Sequence, residues 1–273
     1  MRIALVQQRA GREKEANVRK GLANLERAAA GGADLVCYAE LAFEPFYPQE
    51  RAGTDFRDLA EPVPGPITRA FMEKASELGV VVVLNLYERD GEECYDSSPV
   101  IDADGRLLGR THMVHITQYA CFCEQDYYTP GGTGAPVYET AVGRVGVAIC
   151  YDRHFPEYMR ALALGGAELV VVPQAGAVGE WPEGLYEAEM RVAAFQNGYF
   201  TALCNRVGEE EHLTFAGESF ACAPDGRVLT RAGTLTEEIL YTDVDLSETG
   251  ESHARTLFLP DRRPGLYGSW LGD

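Results

Sequence analysis

Lysine is almost missing from this chain: of 273 residues only Lys14, Lys20 and Lys74 are lysines, and none follows position 74. Lys and Arg together number 24 against 42 acidic residues, a formal net charge of −18. A surface so poor in positive charge argues against binding to a nucleic-acid backbone or to anionic lipid, since both need clustered cations. No apolar run approaches the roughly 20 residues of a membrane span. No basic-then-apolar leader opens the chain, because Met1 runs straight into the strand-like Arg2-Ile3-Ala4-Leu5-Val6. Disulfide-framework spacing is absent as well: Cys37, Cys94, Cys121, Cys123, Cys150, Cys204 and Cys222 are an odd set at irregular intervals. These absences lead us to expect a soluble, cytoplasmic protein with neither a nucleic-acid nor a membrane partner.

Apolar residues are what the chain has in quantity, 46% of the total, so a sizeable core is available and disorder is not expected. Strand-like runs alternate with helical ones. Ile3–Gln7 precedes an amphipathic stretch over Glu13–Ala30, with Val18, Leu22, Leu25 and Ala28 at helical spacing. Gly31-Gly32 stops it before the strand Asp34–Glu40. A helix over Ile67–Leu78 ends at Gly79, and Val80–Leu86 reads as a strand covered on both faces. Asp102-Ala103-Asp104-Gly105 marks a hairpin turn within Pro99–Leu108.

Gly143–Cys150 is the next strand, followed by a helix over Glu157–Leu164 with Pro156 in its first turn. Then come strand Glu168–Pro173, helix Glu187–Gln196 and strand Tyr199–Asn205. The strands Glu218–Cys222 and Arg227–Arg231 are joined by Pro224-Asp225-Gly226, and Ile239–Val244 is the last strand. With no linker or repeat, residues 1–273 form a single domain with a polar tail over 251–273. Alternation early and hairpins late predict an α/β layered fold with mixed parallel and antiparallel strands, two stacked sheets with helices outside.

Three residues stand out chemically. Cys150 lies at a strand-to-helix turn, where a thiol is rigidly held near backbone N–H groups able to stabilise an oxyanion. Most intracellular cysteines are ordinary small core residues, so Cys150 alone settles nothing. Glu40 closes the apolar run Leu35–Ala39 and precedes Leu41-Ala42-Phe43. Glutamates are mostly solvated, but one in this setting is expensive unless paired or functional, and a desolvated one suits proton exchange with a thiol. Glu124 sits in the loop Tyr119–Gly132, whose Tyr119, Phe122, Tyr127 and Tyr128 suggest packing over a pocket. Cys121-x-Cys123 with His112 and His115 does not have the usual zinc spacing, and no metal is expected.

Taken together, the strings LVCYAELAF around Glu40, GRTHMVHI…CEQDYYTPGGTG around Glu124 and VGVAICYDRHFPE around Cys150 resemble the nitrilase superfamily of carbon–nitrogen hydrolases. ALGGAELVVVPQA, RVAAFQNGYFTALCNRVG and FACAPDGRVL extend the likeness over nearly the whole chain. Within the superfamily the sequence is most similar to enzymes acting on N-carbamoyl compounds. The resemblance implies a four-layer αββα sandwich and a homodimer or higher homo-oligomer, with the C-terminal tail reaching the partner. It also implies a cofactor-free mechanism on a small-molecule amide or N-carbamoyl substrate. In that mechanism Cys150 attacks the carbonyl to form a thioester acyl-enzyme, Glu40 is general base and then acid, and Glu124 positions a reacting group or the loop. Tyr151, Arg153 and His115 are the positions expected to bind substrate or oxyanion.

One departure stands against this agreement. The family places a lysine two residues before the position matched by His115, where it helps to bind the tetrahedral oxyanion; here that residue is Met113. Methionine fills a similar length without a charge or a donor. Loss of one such donor typically costs about 2.7–4 kcal/mol, roughly 10²–10³ in rate. Weakened hydrolysis is therefore expected, with His112 or Arg153 the nearest compensating cations. The competing readings are an impaired relative that binds a ligand or partner in the same pocket, or a Lys→Met variant made to trap a complex. A cysteine peptidase fits least, since His154 is only four residues from Cys150 and no Asn or Asp partner is evident. Arg153 or Arg191 could meet a substrate carboxylate, or each could form an ordinary surface ion pair.

Overall fold

Odd and even residues of the first strand face two different cores. Ile3 and Leu5 point into one buried cluster, Ala4 and Val6 into another, as the two-residue period of a strand requires when both its faces are covered. The protein, here a computed structural model that describes residues 1–271, repeats this pattern through both of its large sheets. The strands run Arg2–Gln7 (β1), Leu35–Tyr38 (β2), Val81–Val83 (β3), Leu86–Asp90 (β4), Glu93–Ile101 (β5) and Leu107–His112 (β6). They continue with Val137–Thr140 (β7), Gly143–Val147 (β8), Leu169–Gln174 (β9), Phe200–Asn205 (β10), Val207–Glu209 (β11), Thr214–Ala216 (β12), Phe220–Cys222 (β13), Val228–Arg231 (β14) and Glu238–Asp243 (β15).

One sheet has the order β15-β1-β2-β3-β5-β4, with β6 paired to β5; the other has β14-β13-β10-β9-β8-β7. Parallel pairs occupy the middle of each sheet (β1 with β2, β2 with β3, β8 with β9, β9 with β10) and antiparallel pairs the flanks. The two sheets meet through Ile3, Leu5, Leu35, Cys37 and Val81 on one side and Val145, Val147, Leu169, Val171 and Phe200 on the other. Helices α1 (Lys14–Ala30) and α2 (Pro66–Leu78) cover the first sheet through Leu25, Ala28, Ile67, Phe71 and Ala75. Helices α3 (Pro156–Leu164) and α4 (Leu185–Asn197) cover the second through Tyr158, Met159, Leu162, Met190 and Ala194. The result is the four-layer αββα sandwich with mixed strands that the sequence implied.

Three strands stop earlier than their apolar runs do, and each stop builds the site. The run Asp34–Glu40 leaves the ladder after Tyr38, so Glu40 sits in a turn whose next residue, Leu41, has φ +45°. The run Val80–Leu86 divides into β3 and β4 at Asn85, whose side chain accepts from Leu41 N at 2.7 Å and donates to Ser98 Oγ at 3.1 Å. The run Gly143–Cys150 ends its ladder at Val147, and Cys150 opens a 3₁₀ turn, Cys150–His154, with φ +42°. Non-glycine residues with positive φ are uncommon and strained, and here two of them flank or carry the candidate chemistry.

The hairpin of β11 and β12 and the edge strand β7 were not legible in the sequence, being three or four residues long and carrying charge at Glu209 and Glu139. The expected polar tail over 251–273 is ordered through 271 as a π-turn at Ala254–Phe258 and a helix at Pro264–Leu271. It begins on the chain's own α4, with Phe195 against His253 and Phe258 and Arg255 donating to Ala167 O at 2.8 Å. Its last two residues lie outside the described residues. Among the described residues no helix is long and apolar enough to cross a membrane.

Candidate active site

Glu40, Glu124 and Cys150 come from a turn, a loop and a second sheet, and the fold brings them together in the interior. All three are buried, both glutamates at 0% exposure. The Glu40 carboxyl is pushed up to about 8, first by burial and then by the charge of Glu124, while contacts from Asp96 and the Cys150 thiol act the other way. Burial also drives the Cys150 thiol well up, reinforced by Glu40 and Glu124 and opposed by Arg153. The thiol is therefore not ionised by its surroundings at neutral pH and needs a base in contact with it, which Glu40 is.

The turn that carries Glu40 is held from behind. Arg206, buried at 2% exposure, donates to the carbonyls of Glu40 at 2.9 Å, of Leu41, and of Glu44 at 3.0 Å, and pairs with Glu210. Asn85 holds the other side through Leu41 N. Glu124 opens a short 3₁₀ turn; its Oε2 accepts from Thr117 N at 3.3 Å while its Oε1 has no partner. Burial, then the charge of Asp96, raises the Glu124 carboxyl well above its usual range.

Sequence reasoning missed Asp96. It lies in β5, fully buried, with its Oδ1 accepting from Asn85 and its Oδ2 unpartnered. Burial and the adjacent Glu40 raise it well above the usual carboxylate range, so Glu40 and Asp96 form a carboxyl pair that holds at least one proton at neutral pH. The available signal was an aspartate inside an otherwise buried strand, Ser97, Ser98 and Val100 following it. Asn85 and Arg206 were missed as well.

The remaining expected residues fall into different roles. Met113 is fully buried in the core between the sheets, and its N–H donates to Asp96 O at 3.0 Å, so its backbone lies beside the carboxyl pair. Arg153 is buried and donates to Cys150 O at 2.7 Å, to Gln174 Oε1 at 2.8 Å and to Glu189 at 3.2 Å, with its guanidinium over the Tyr186 ring. The Tyr151 ring leans on His154 and Phe155. His115 bonds Asp152 through Nδ1 at 2.7 Å and stacks on Phe155 at 3.5 Å, so its ring anchors the chain after Met113. His112 is engaged with Glu88 at 2.9 Å and stacked on Tyr95, and Arg191 makes the ion pair with Glu187.

Phe46, Tyr87, Phe122, Tyr127, Tyr128 and Phe215 pack in one cluster, as the density of rings in the Tyr119–Gly132 loop suggested, and its Tyr128 lies within the influence of the three carboxyls. Beside it a recess of ≈ 370 Å³ is lined by Gln174, Ala177, Trp181, Tyr186 and Asn205 among others. Gln174, in the lining of this recess, shares Arg153 with the Cys150 carbonyl.

A buried thiol beside a buried carboxyl, at the end of one sheet of an αββα sandwich, defines a class, and residues 2–254 match the family model described as carbon-nitrogen hydrolase. The chain belongs to that family and is a carbon–nitrogen hydrolase. It is 35% identical over 250 residues to an N-carbamoylputrescine amidase of Solanum lycopersicum, covering 86% of this chain and 83% of that protein. It is 34% identical over 244 residues to a beta-ureidopropionase of Arabidopsis thaliana, covering 82% and 59% respectively. Among solved structures, a carbon-nitrogen hydrolase from Helicobacter pylori G27 superposes with a TM-score of 0.93 at 29% identity, covering 100% of this chain and 98% of that one. An amidase from Nesterenkonia sp. AN1, seen with acrylamide added at its active-site cysteine, superposes with a TM-score of 0.84 at 26% identity over 99% of both chains.

Proposed function

We propose that this protein hydrolyses a non-peptide C–N bond of a small amide or N-carbamoyl compound through a thioester on Cys150. The observation that carries the reading is the contact between the Cys150 thiol and the Glu40 carboxyl, both sealed from solvent. Glu40 takes the thiol proton as sulfur attacks the carbonyl, returns it to the leaving nitrogen, and then activates the water that cleaves the thioester. Backbone N–H groups at the Cys150–Tyr151 turn face the developing oxyanion, Arg153 fixes that turn through the Cys150 carbonyl, and Glu124 orients the substrate nitrogen. The names of the curated relatives support an N-carbamoyl substrate, and that of the structural neighbour an amide.

Met113 is the weak point. A buried methionine supplies no donor at the position where the resemblance puts lysine, so turnover of carbonyl substrates is slow. The same feature favours a second reading, in which the site binds such compounds with little turnover. Ammonia release from a panel of amides and N-carbamoyl compounds, for the parent, Cys150→Ala and Met113→Lys, tests both. The expected result is weak release by the parent, none by Cys150→Ala, and a gain of roughly 10²–10³ in Met113→Lys. Release that survives Cys150→Ala would overturn the mechanism, and a parent already fast and unimproved by lysine would overturn the account of Met113.

The exposed apolar side chains of α4 and the tail, Val192, Phe195, Leu257, Phe258 and Trp270, support self-association into a homodimer; sedimentation of the full chain reads it directly. All seven cysteines are free thiols, which supports a cytoplasmic setting.

A further inference from the structure

The interior around Cys150 holds three carboxyl groups and no cation set among them. Glu40 Oε1 and Oε2, Asp96 Oδ2 and Glu124 Oε1 are all buried, and apart from the contacts of Glu40 with Asp96 and with the Cys150 thiol no donor of the protein reaches them. The hydroxyl of Tyr128, also buried and unpartnered, lies under the influence of all three carboxyls. The charges that bear on Asp96 are Glu40 and Asp152, and those on Glu124 are Asp96, Glu180 and Asp152, all of one sign. The two nearby guanidinium groups are held at the edges: Arg206 behind the Glu40 turn with Glu210, and Arg153 on the Cys150 carbonyl, Gln174 and Glu189, with its Nη2 left without a partner. Asp152 itself is held by His115 and by the N–H groups of Val114 and His115. Unpartnered buried oxygens of this kind are costly in a native protein and mark a place where a ligand supplies the missing donors.

From this geometry we infer that the electrophile this site takes best is itself a cation, an amidinium or guanidinium group whose N–H donors meet Glu40, Asp96, Glu124 and Tyr128 while its carbon faces Cys150. The inference rests on Cys150 as nucleophile, as proposed above, and changes the substrate class. A planar amidinium offers several N–H donors and a delocalised charge, the complement of converging carboxylates. It also removes the defect at Met113. Attack on a carbonyl drives an electron pair onto oxygen and creates an anion that needs a donor. Attack on an amidinium drives the pair onto a nitrogen that is already positive and leaves a neutral adduct.

The steps balance without a further reagent. The Cys150 proton passes to Glu40 as the C–S bond forms and the C=N π pair moves to nitrogen. Glu40 returns the proton to one nitrogen, the C–N bond breaks, and ammonia or an amine leaves a cationic thioimidate on sulfur. Water adds to that carbon as Glu40 takes its proton, and the C–S pair returns to sulfur together with the remaining hydroxyl proton. Glu40 then gives its proton to solvent, and the ammonia already released takes one up as ammonium. An amidinium and water thus give an amide and ammonium; a guanidinium gives a urea and ammonium. The ≈ 370 Å³ recess at Gln174, with Trp181 and Tyr186, receives the rest of such a molecule.

Isosteric pairs test this: acetamidine against acetamide, and methylguanidine against methylurea, with the full-length protein. Ammonia release is measured for the parent, Cys150→Ala and Met113→Lys, and binding to Cys150→Ala is measured by calorimetry in two buffers of different ionisation enthalpy. The expected result is Cys150-dependent hydrolysis that favours the cationic member of each pair. Binding of the cation should release protons as the carboxyls ionise, and methylurea should release none. A lysine at 113 should reverse the preference, lowering kcat/KM for acetamidine by about 10²-fold through like-charge repulsion while raising that for acetamide. A parent that hydrolyses acetamide through Cys150 yet neither binds nor hydrolyses the cationic members overturns this inference and leaves the proposed function standing. Ammonia release that is independent of Cys150 overturns both.

Discussion

Arg206 donates from Nη1 to the carbonyl oxygen of Glu40 across 2.9 Å, joining residues 166 positions apart. The contact runs from the end of β10 to the turn after β2, so the orientation of the Glu40 carboxyl is set from the opposite sheet. Neither the guanidinium nor the carbonyls it holds are accessible to water.

Replacing Arg206 should therefore unfold the turn and weaken the whole domain. Arg206→Ala strands three backbone carbonyls and the Glu210 carboxylate, and such breakage of a buried pair costs about 3–5 kcal/mol. Urea denaturation should show the loss as a lower midpoint, with a residual folded fraction of reduced activity. An unchanged midpoint would remove Arg206 from the structural account.

Asn85 ties the Glu40 turn to the carboxyl pair, with Leu41 N on one side and Asp96 and Ser98 on the other. Asn85→Ala leaves at least one of these buried groups unsatisfied, a loss of about 1–3 kcal/mol. Because Leu41 sits at φ +45°, release of its N–H should also let the turn relax, so kcat falls further than stability explains. Equal kcat in the variant and the parent would show that the turn does not need this anchor.

The protonation of Glu40 sets a pH limb. Its carboxyl titrates at about 8, and only the ionised form can accept the Cys150 proton. For neutral amides kcat/KM should rise with pH up to about 8 and then level. Met113→Lys places a cation near the carboxyls, which favours their charged form, and should move that limb to lower pH. A profile flat from pH 5 to 9 would contradict Glu40 as base.

Stability should move the opposite way over the same interval. In the unfolded chain Glu40 titrates near the usual 4.5, in the folded protein at about 8. Between those values the folded state holds the extra proton, so raising pH across the window removes stability, and below about 4.5 the contribution is constant. Thermal melts of the parent should fall from pH 5 to pH 8 more steeply than those of Glu40→Gln, which carries no proton to lose. Parallel slopes would contradict the shift.

Close packing between α1 and its neighbours gives a test away from the site. A Cβ on Gly21 would lie 2.5 Å from Phe43 Cε1 and 3.1 Å from Phe71 Cζ, in a cluster where Tyr38, Phe43 and Phe71 pack ring on ring. Gly21→Ala should lower stability by about 1–3 kcal/mol through overpacking, despite the better helix propensity of alanine. A gain in melting temperature would show that the rings can yield.

Local chemistry by itself determined most of the architecture. Periodicity in α1 and α2, the glycines at 31 and 79, and the doubly apolar runs of β2, β3, β9 and β10 state their conformations within a few residues, because each rests on neighbours in the chain. Glu40, Glu124 and Cys150 were also legible, each a costly or reactive group set in an apolar context. What only the tertiary structure decided lies where distant segments share one buried volume. Asp96 reads in the sequence as one more strand aspartate until β5 places it against Glu40. Arg206 and Asn85 acquire meaning only through carbonyls and amides far away in the chain. The same is true of the ends of the strands. The apolar runs suggested ladders through Glu40, Leu86 and Cys150, but hydrogen bonding and backbone strain stop them short, since burial of a residue is a property of its side chain whereas the end of a ladder depends on which partner strand is there to meet it.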